Sequence, residues 1–92
     1  MKQEDINLLK QLGLTTYEAK AYITLSSLIQ ATADEISDKS GIPRSKIYDV
    51  LKRLNSKDYI KIESGRPLTY HVNPPINVLK REKEKFIRRI NK

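Results

Sequence analysis

The stretch ATADEISDKSGIPRSKIYDVLKRLN, residues 31–55, leaves the chain few folds to choose from. Thr32 followed by Glu35 is a capping box: the hydroxyl caps first-turn amides and the carboxylate reaches back to the cap. The short helix that follows carries Ala33, Ile36 and Ser40 at one-face spacing and meets Gly41, the residue type that takes a left-handed helix end without steric cost. Ile42 anchors the turn in the core, and Pro43 presets φ at the start of the next helix. Ile47, Val50, Leu51 and Leu54 form that helix's inner stripe, while Arg44, Ser45, Lys46, Tyr48, Asp49, Lys52 and Arg53 face outward. A plain helical hairpin would share this outline. Small Ser37 at the crossing and the spacing of Gly41 and Ile47 favour a helix-turn-helix, with the second helix over about residues 43–56.

Beyond Asn55 the period changes from helical to alternating. Ile60, Ile62, Tyr70 and Val72 form one apolar face of a hairpin spanning residues 59–73, with the turn-forming Ser64, Gly65, Arg66 and Pro67 between its strands. Its inner face closes the core, but folding needs no arginine at the tip, so a hairpin with Arg66 there reads as a wing. Pro74 and Pro75 then start a last helix. Ile76, Leu79, Lys83, Phe86 and Ile90 recur in steps of three and four, widened by Ile87, as a short heptad-like seam. The seam would fold back on the domain or pair with the same helix of a second copy. This helix's outer face is strongly basic, which suits a solvated face, a membrane surface or nucleic acid. The expected fold is thus mainly α with a small β-hairpin: a winged helix-turn-helix domain over residues 1–73 and an added C-terminal basic amphipathic helix over 74–92.

The N-terminal part completes the core. A first helix over about residues 4–12 presents Ile6, Leu9 and Leu12, with Leu8 beside them, and ends at Gly13. Thr15 with Glu18 makes a second capping box, opening a helix to about Leu28 on which Ala21, Tyr22, Leu25, Leu28 and Ile29 recur at helical spacing. Tyr17 and Tyr22 suit core or edge positions, and residues 30–32 have room for a minimal strand. Ninety-two residues suffice for one small core.

Charge is segregated along the chain. The formal net charge is +7, distributed as −2 over residues 1–40, +4 over 41–73 and +5 over 74–92. The basic excess begins where the second helix of the motif begins, and a basic face attracts polyanions. No apolar run approaches a membrane span, no signal peptide is expected, and the absence of cysteine removes disulfides and thiolate metal sites. Cytoplasmic residence is the default expectation, with no membrane partner, cofactor or metal. Catalysis is not expected either. His71, the one histidine, falls on a hairpin strand without a cysteine to partner it, and Asp34, Glu35 and Asp38 are explained by the dipole of the helix they open. No phosphate-cradling loop occurs.

The segments LGLTTYEAKAYITL, ATADEISDKSGIPRSKIYDVLKRL and DYIKIESGRPLTYHV, with the two prolines that follow, resemble the N-terminal domain of the TrmB family of transcriptional regulators, a winged helix-turn-helix family found mostly in archaea. The resemblance spans about residues 8–79. It implies sequence-specific binding of double-stranded DNA as a homodimer, with the second helix of the motif in the major groove and the wing on the flanking backbone or minor groove. By position, the family's recognition-helix start falls on Pro43, Arg44, Ser45 and Lys46, its outward face continues to Tyr48 and Lys52, and its wing tip falls on Gly65 and Arg66. Asp58 stands where the family usually has glycine. Many members continue into a sugar-binding effector domain; this sequence stops at Lys92, so sugar sensing is not transferred to it.

Side-chain chemistry distributes the expected roles. Arg44 and Lys46 lie in the first helical turn, the part that reaches base edges, and an arginine can donate bidentately to guanine O6 and N7. Ser45 suits base edges or phosphate, and Tyr48 can pack its ring at the crossing while its hydroxyl reaches phosphate. Lys52, Lys61 and Arg66 suit phosphate contacts, joined by backbone amides at the capped start near Thr32. The competing expectation is a winged-helix module for protein or RNA, which would present apolar residues where Arg44, Lys46, Lys52 and Arg53 stand.

Overall fold

Two capping boxes fix where the chain turns helical, and left-handed residues fix where it stops. The computed structural model describes residues 2–73 and 75–91. Its elements are α1 (Gln3–Gln11), α2 (Thr16–Leu28), β1 (Gln30–Ala31), α3 (Ala33–Ser40), α4 (Arg44–Ser56), β2 (Ile60–Glu63), β3 (Thr69–Val72) and α5 (Pro75–Ile90). At the start of α2 the Thr15 amide donates to Glu18 Oε1 over 2.8 Å while Thr15 Oγ1 accepts from the Glu18 amide. Thr32 and Glu35 repeat the exchange at α3.

Helices α1 and α4 end alike. After α1, Gly13 takes φ 105° and donates to the Lys10 carbonyl, and Leu14 donates to the Leu9 carbonyl. After α4, Asp58 takes φ 64° and donates to the Asn55 carbonyl, and Tyr59 donates to the Leu54 carbonyl. Both are Schellman ends, in which the two hydrogen bonds satisfy orphan carbonyls of the last turn. Asp58 therefore adopts the glycine conformation without being glycine, with a short polar side chain that tolerates it better than most.

The helix-turn-helix is α3 and α4. Gly41 at φ 77° closes α3, and buried Ser37 donates its hydroxyl to the Ile42 carbonyl, locking the turn from inside. Ile36, Ile42, Ile47, Leu51 and Leu54 are fully buried where α3 and α4 meet α2. The expected minimal strand forms, so the hairpin becomes a three-stranded antiparallel sheet in the order β1-β3-β2, with Ala31 opposite Tyr70 and Lys61 opposite His71. With the hairpin packed beside α4, this is a winged helix-turn-helix.

Several expectations are corrected. Pro43 is the N-cap of α4, with ψ 142°, rather than a residue of its first turn. Ile62 is 41% exposed, because β2 is an edge strand running out beyond the helices toward the wing tip. Ile29 is 78% exposed: its φ of 70° at the end of α2 swings it off the helical stripe. Leu8 also faces outward, since α1 buries only one side against α2. Of the expected seam on α5, Phe86, Ile87 and Ile90 are exposed, while the side chains of Ile76 and Leu79, like Pro74, lie outside the described residues.

Candidate nucleic-acid interface

The N-terminus of α4 is built differently from those of α2 and α3, and unlike uncapped α1 it has no acidic residue in its first turn. Helices α2 and α3 open with a Thr cap and a Glu three residues later, whereas α4 opens with Pro43, which supplies no side-chain cap, and has Lys46 where the Glu would stand. No acidic residue lies in its first turn. Arg44 and Lys46 thus crowd positive charge onto the positive end of the helix dipole, an arrangement that costs the isolated helix stability and that an external anion would reverse.

Arg44, Ser45, Lys46, Tyr48 and Lys52 are all exposed on α4. Arg44 Nη2 lies 3.4 Å from Asp38 Oδ1 of α3, and Arg53 lies 2.7 Å from Asp49 one turn before it. All four side chains are more than half exposed, so each pair is weak and open to competition by another anion. Among the described residues no carboxylate pairs with Lys46 or Lys52. The outward face of α4 therefore keeps two unneutralised ammonium groups and an arginine held only loosely.

The wing stands next to this face. A groove of about 220 Å³ separates the HTH from the hairpin, lined by Thr32 and Asp34 at the start of α3, Tyr48 of α4, and Pro67, Leu68 and Tyr70 of the wing. Tyr48 and Leu68 are largely exposed on its rim, while Tyr70 is buried at its base. Burial, with the Tyr48 phenol nearby, pushes the Tyr70 hydroxyl above its ordinary range, so it stays a neutral donor. At α3, the Thr32 amide and then its hydroxyl hold the Glu35 carboxyl below the usual carboxylate range. Gly65 and Arg66 are exposed at the tip, ahead of a cis Arg66–Pro67 peptide.

The structure thus leaves Arg44, Ser45, Lys46, Tyr48 and Lys52 exposed on α4, with Pro43 exposed before it. It brings Tyr48, Thr32 and the wing residues that follow Gly65 and Arg66 together around one groove. It does not bring Lys61 there. Lys61 alternates with buried Ile60 and pairs with His71, on the sheet face turned from the helices. The groove itself had escaped sequence reasoning, because Leu68 and Tyr48 meet only through the fold. The uncapped start of α4 was legible: Pro43 and Lys46 stand where a capping box would need a hydroxyl and a carboxylate. Among the described residues no group of three or more His, Asp or Glu side chains is placed to hold a metal ion.

Residues 9–76 match the family described as "Sugar-specific transcriptional regulator TrmB". The chain is 41% identical over 88 residues, 95% of its own length, to the HTH-type sugar sensing transcriptional regulator TrmBL1 of Pyrococcus furiosus, of which it covers 26%. It is 35% identical over 92% of its length to the uncharacterized protein YrhO of Bacillus subtilis, covering 31% of that protein. The chain therefore spans about a quarter to a third of the length of the curated relatives it matches. Among solved structures it superposes on TrmBL2, described as an archaeal chromatin protein with a novel mode of DNA binding, with a TM-score of 0.90 at 29% identity, over 99% of this chain and 36% of that one. It shares its fold with Bordetella bronchiseptica BpsR, whose DNA binding is regulated by 6-hydroxynicotinic acid, at a TM-score of 0.67 and 16% identity, covering 97% of this chain and 69% of that one.

Proposed function

Since this chain belongs to the TrmB family of transcriptional regulators, we propose that it reads double-stranded DNA by sequence as a homodimer in the cytoplasm. The observation that carries this reading is the exposed, uncapped start of α4, where Arg44 and Lys46 oppose the helix dipole that a phosphate or a guanine edge would satisfy. Helix α4 enters the major groove. Arg44 leaves Asp38 for a base edge, Ser45 and Lys46 flank it, and Tyr48 and Lys52 meet the sugar-phosphate backbone. The amides at the start of α3 near Thr32 meet phosphate on one side of the groove, and Arg66 at the wing tip meets the flanking backbone or minor groove on the other. Lys61 has no part in this docking.

The second copy docks through α5. Phe86, Ile87 and Ile90 are exposed on one side of that helix and supply an apolar seam too short for a long coiled coil but sufficient for a local pairing. Two copies related by a twofold axis would then present their α4 helices about 34 Å apart, one turn of duplex.

Selection from a randomised duplex pool tests the reading. The expected enrichment is a pair of inverted half-sites, and Arg44→Ala then costs about 1–3 kcal/mol on the enriched duplex and far less on random duplex. Equal losses on both would reject base readout by Arg44. No enrichment, with no binding of random duplex at low salt, would reject DNA as the partner and favour a protein-binding winged helix.

A further inference from the structure

Helix α5 is fastened to the end of the recognition helix. The Arg81 guanidinium donates to the Asp58 carbonyl, which also accepts from the side-chain amide of Asn73. The Tyr59 hydroxyl donates to Glu82 Oε1 over 3.1 Å. Both acceptor and donor on the domain side belong to the turn that caps α4: Asp58 is its left-handed residue and Tyr59 the residue that closes it. Tyr59 is itself buried. Its ring is 2% exposed and meets Tyr22 of α2 edge-to-face at a centroid distance of 5.7 Å. Burial and the Glu82 carboxylate push its phenol up, so the hydroxyl keeps the proton it donates. Asn73, 6% exposed, ties the strand that leads into α5 to the same turn by donating its amide to the Tyr59 carbonyl over 3.0 Å.

Around α5, Arg81 lies opposite the apolar seam and Glu82 lies at its edge. At about 100° per residue, Arg81 lies about 140° from Phe86 and about 180° from Ile90 around the helix, whereas Glu82 lies about 40° from Phe86 and about 80° from Ile90. Arg81 grips the domain from the side away from the seam, and Glu82 grips it one turn before exposed Phe86. A helix held on both sides transmits orientation, whereas one held on a single side swivels.

We infer that Arg81 and Glu82, latched onto Asp58 and Tyr59, are positioning residues that fix the angle between α5 and α4 and thereby the separation of half-sites the dimer accepts. The inference rests on the dimeric DNA-binding reading above and assigns its spacing selectivity to a latch remote from the DNA. None of these four residues faces the duplex, so the latch acts on geometry and leaves each half-site contact intact. The carbonyl of Asp58 keeps Asn73 when Arg81 is lost, and Tyr59→Phe keeps the buried ring, so the domain folds without the latch.

The test compares wild type, the double variant Arg81→Ala with Tyr59→Phe, and the conservative Arg81→Lys. The probes are the duplex enriched by wild type, the same half-sites at separations of about 9 to about 12 base pairs, and one half-site alone; one turn is about 10.5 base pairs. Wild type is expected to prefer one separation by about tenfold or more, because a second site is gained only where geometry allows both to engage. The double variant is expected to bind the single half-site within about twofold of wild type, remain a dimer by sedimentation, and lose the preference to within about twofold across separations. Arg81→Lys, still a donor, should recover part of it. A double variant that keeps the wild-type preference overturns the latch and leaves the dimer reading standing. A folded double variant with weakened single half-site binding also overturns it, since the effect would then be on the contact. Wild type that enriches only unpaired sites overturns the dimer reading and the latch together.

Discussion

Lys57→Met tests how the recognition helix is held at its far end. Glu18 is fully buried, and its Oε1 accepts from the Lys57 ammonium and the Thr15 amide, each over 2.8 Å, while Oε2 has no partner among the described residues. The same ammonium donates to the Gly13 carbonyl over 3.1 Å, so Lys57 staples the end of α4 to the α1–α2 turn. Removing one member of a wholly buried pair costs about 3–5 kcal/mol. Lys57 is 36% exposed, and solvent screening lowers the expectation to about 2–3 kcal/mol. For a domain of this size that is a fall of about 10–20 °C in Tm. The pH dependence gives the sharper signature. In the wild type, burial raises the Glu18 carboxyl, but Lys57 and Thr15 outweigh it and hold it below the ordinary 4.5. Its stabilisation is therefore present above that value and lost as pH falls through the lower folded value. Without the ammonium, only the Thr15 bonds oppose burial, the folded value rises from its wild-type position, and the destabilisation is full at neutral pH and relieved on acidification. Thermal melts followed by circular dichroism at pH 7 and at about pH 4 should show the gap between the two proteins narrowing as pH falls. A gap that stays constant with pH, or a Tm within about 2 °C of wild type at neutral pH, would refute the staple.

Three further outcomes follow from the same geometry. Asp58→Gly should stabilise the domain by about 0.5–1 kcal/mol in chemical denaturation, because glycine takes φ 64° without the Cβ penalty; a loss of stability would mean the aspartate side chain makes a needed contact. Phe86→Ala with Ile90→Ala should shift a sedimenting dimer to monomer while the circular dichroism of the folded domain is kept, since both side chains are exposed in the single copy; an intact dimer would locate the interface elsewhere. Asp38→Asn should release Arg44 and tighten binding of any duplex by up to about fivefold in anisotropy titrations, the scale of an exposed ion pair, and unchanged affinity would show that Arg44 is already free to reach DNA.

Local signals were enough to delimit the helices and the turn. Thr15 with Glu18, Thr32 with Glu35, and Gly13 and Gly41 mark boundaries within a few residues of each other, where the backbone has little choice. What escaped was the consequence of packing. Glu18 shares the stripe of Ala21 and Leu25, so its burial was open to inference, yet the capping role alone accounted for its presence; the partner, Lys57, is 39 residues away. Ile62 alternates correctly for the inner face and is exposed all the same, because alternation says which side a residue faces and nothing about whether a helix covers that side. The outward residues of α4 were readable as a set, but the pairing of Arg44 with Asp38, the remoteness of Lys61 and the groove under Tyr48 each depend on how separate elements meet.

In the proposed docking, the outward face of α4, with the wing tip beside it, neutralises DNA phosphates. Fluorescence anisotropy of a labelled random duplex, titrated with wild type and with Lys52→Ala at several salt concentrations, measures that directly. The expected result is a log–log slope of several units for wild type that drops by about one in the variant. A shallow wild-type slope, or a slope that Lys52→Ala leaves unchanged, would contradict the docking described for this face.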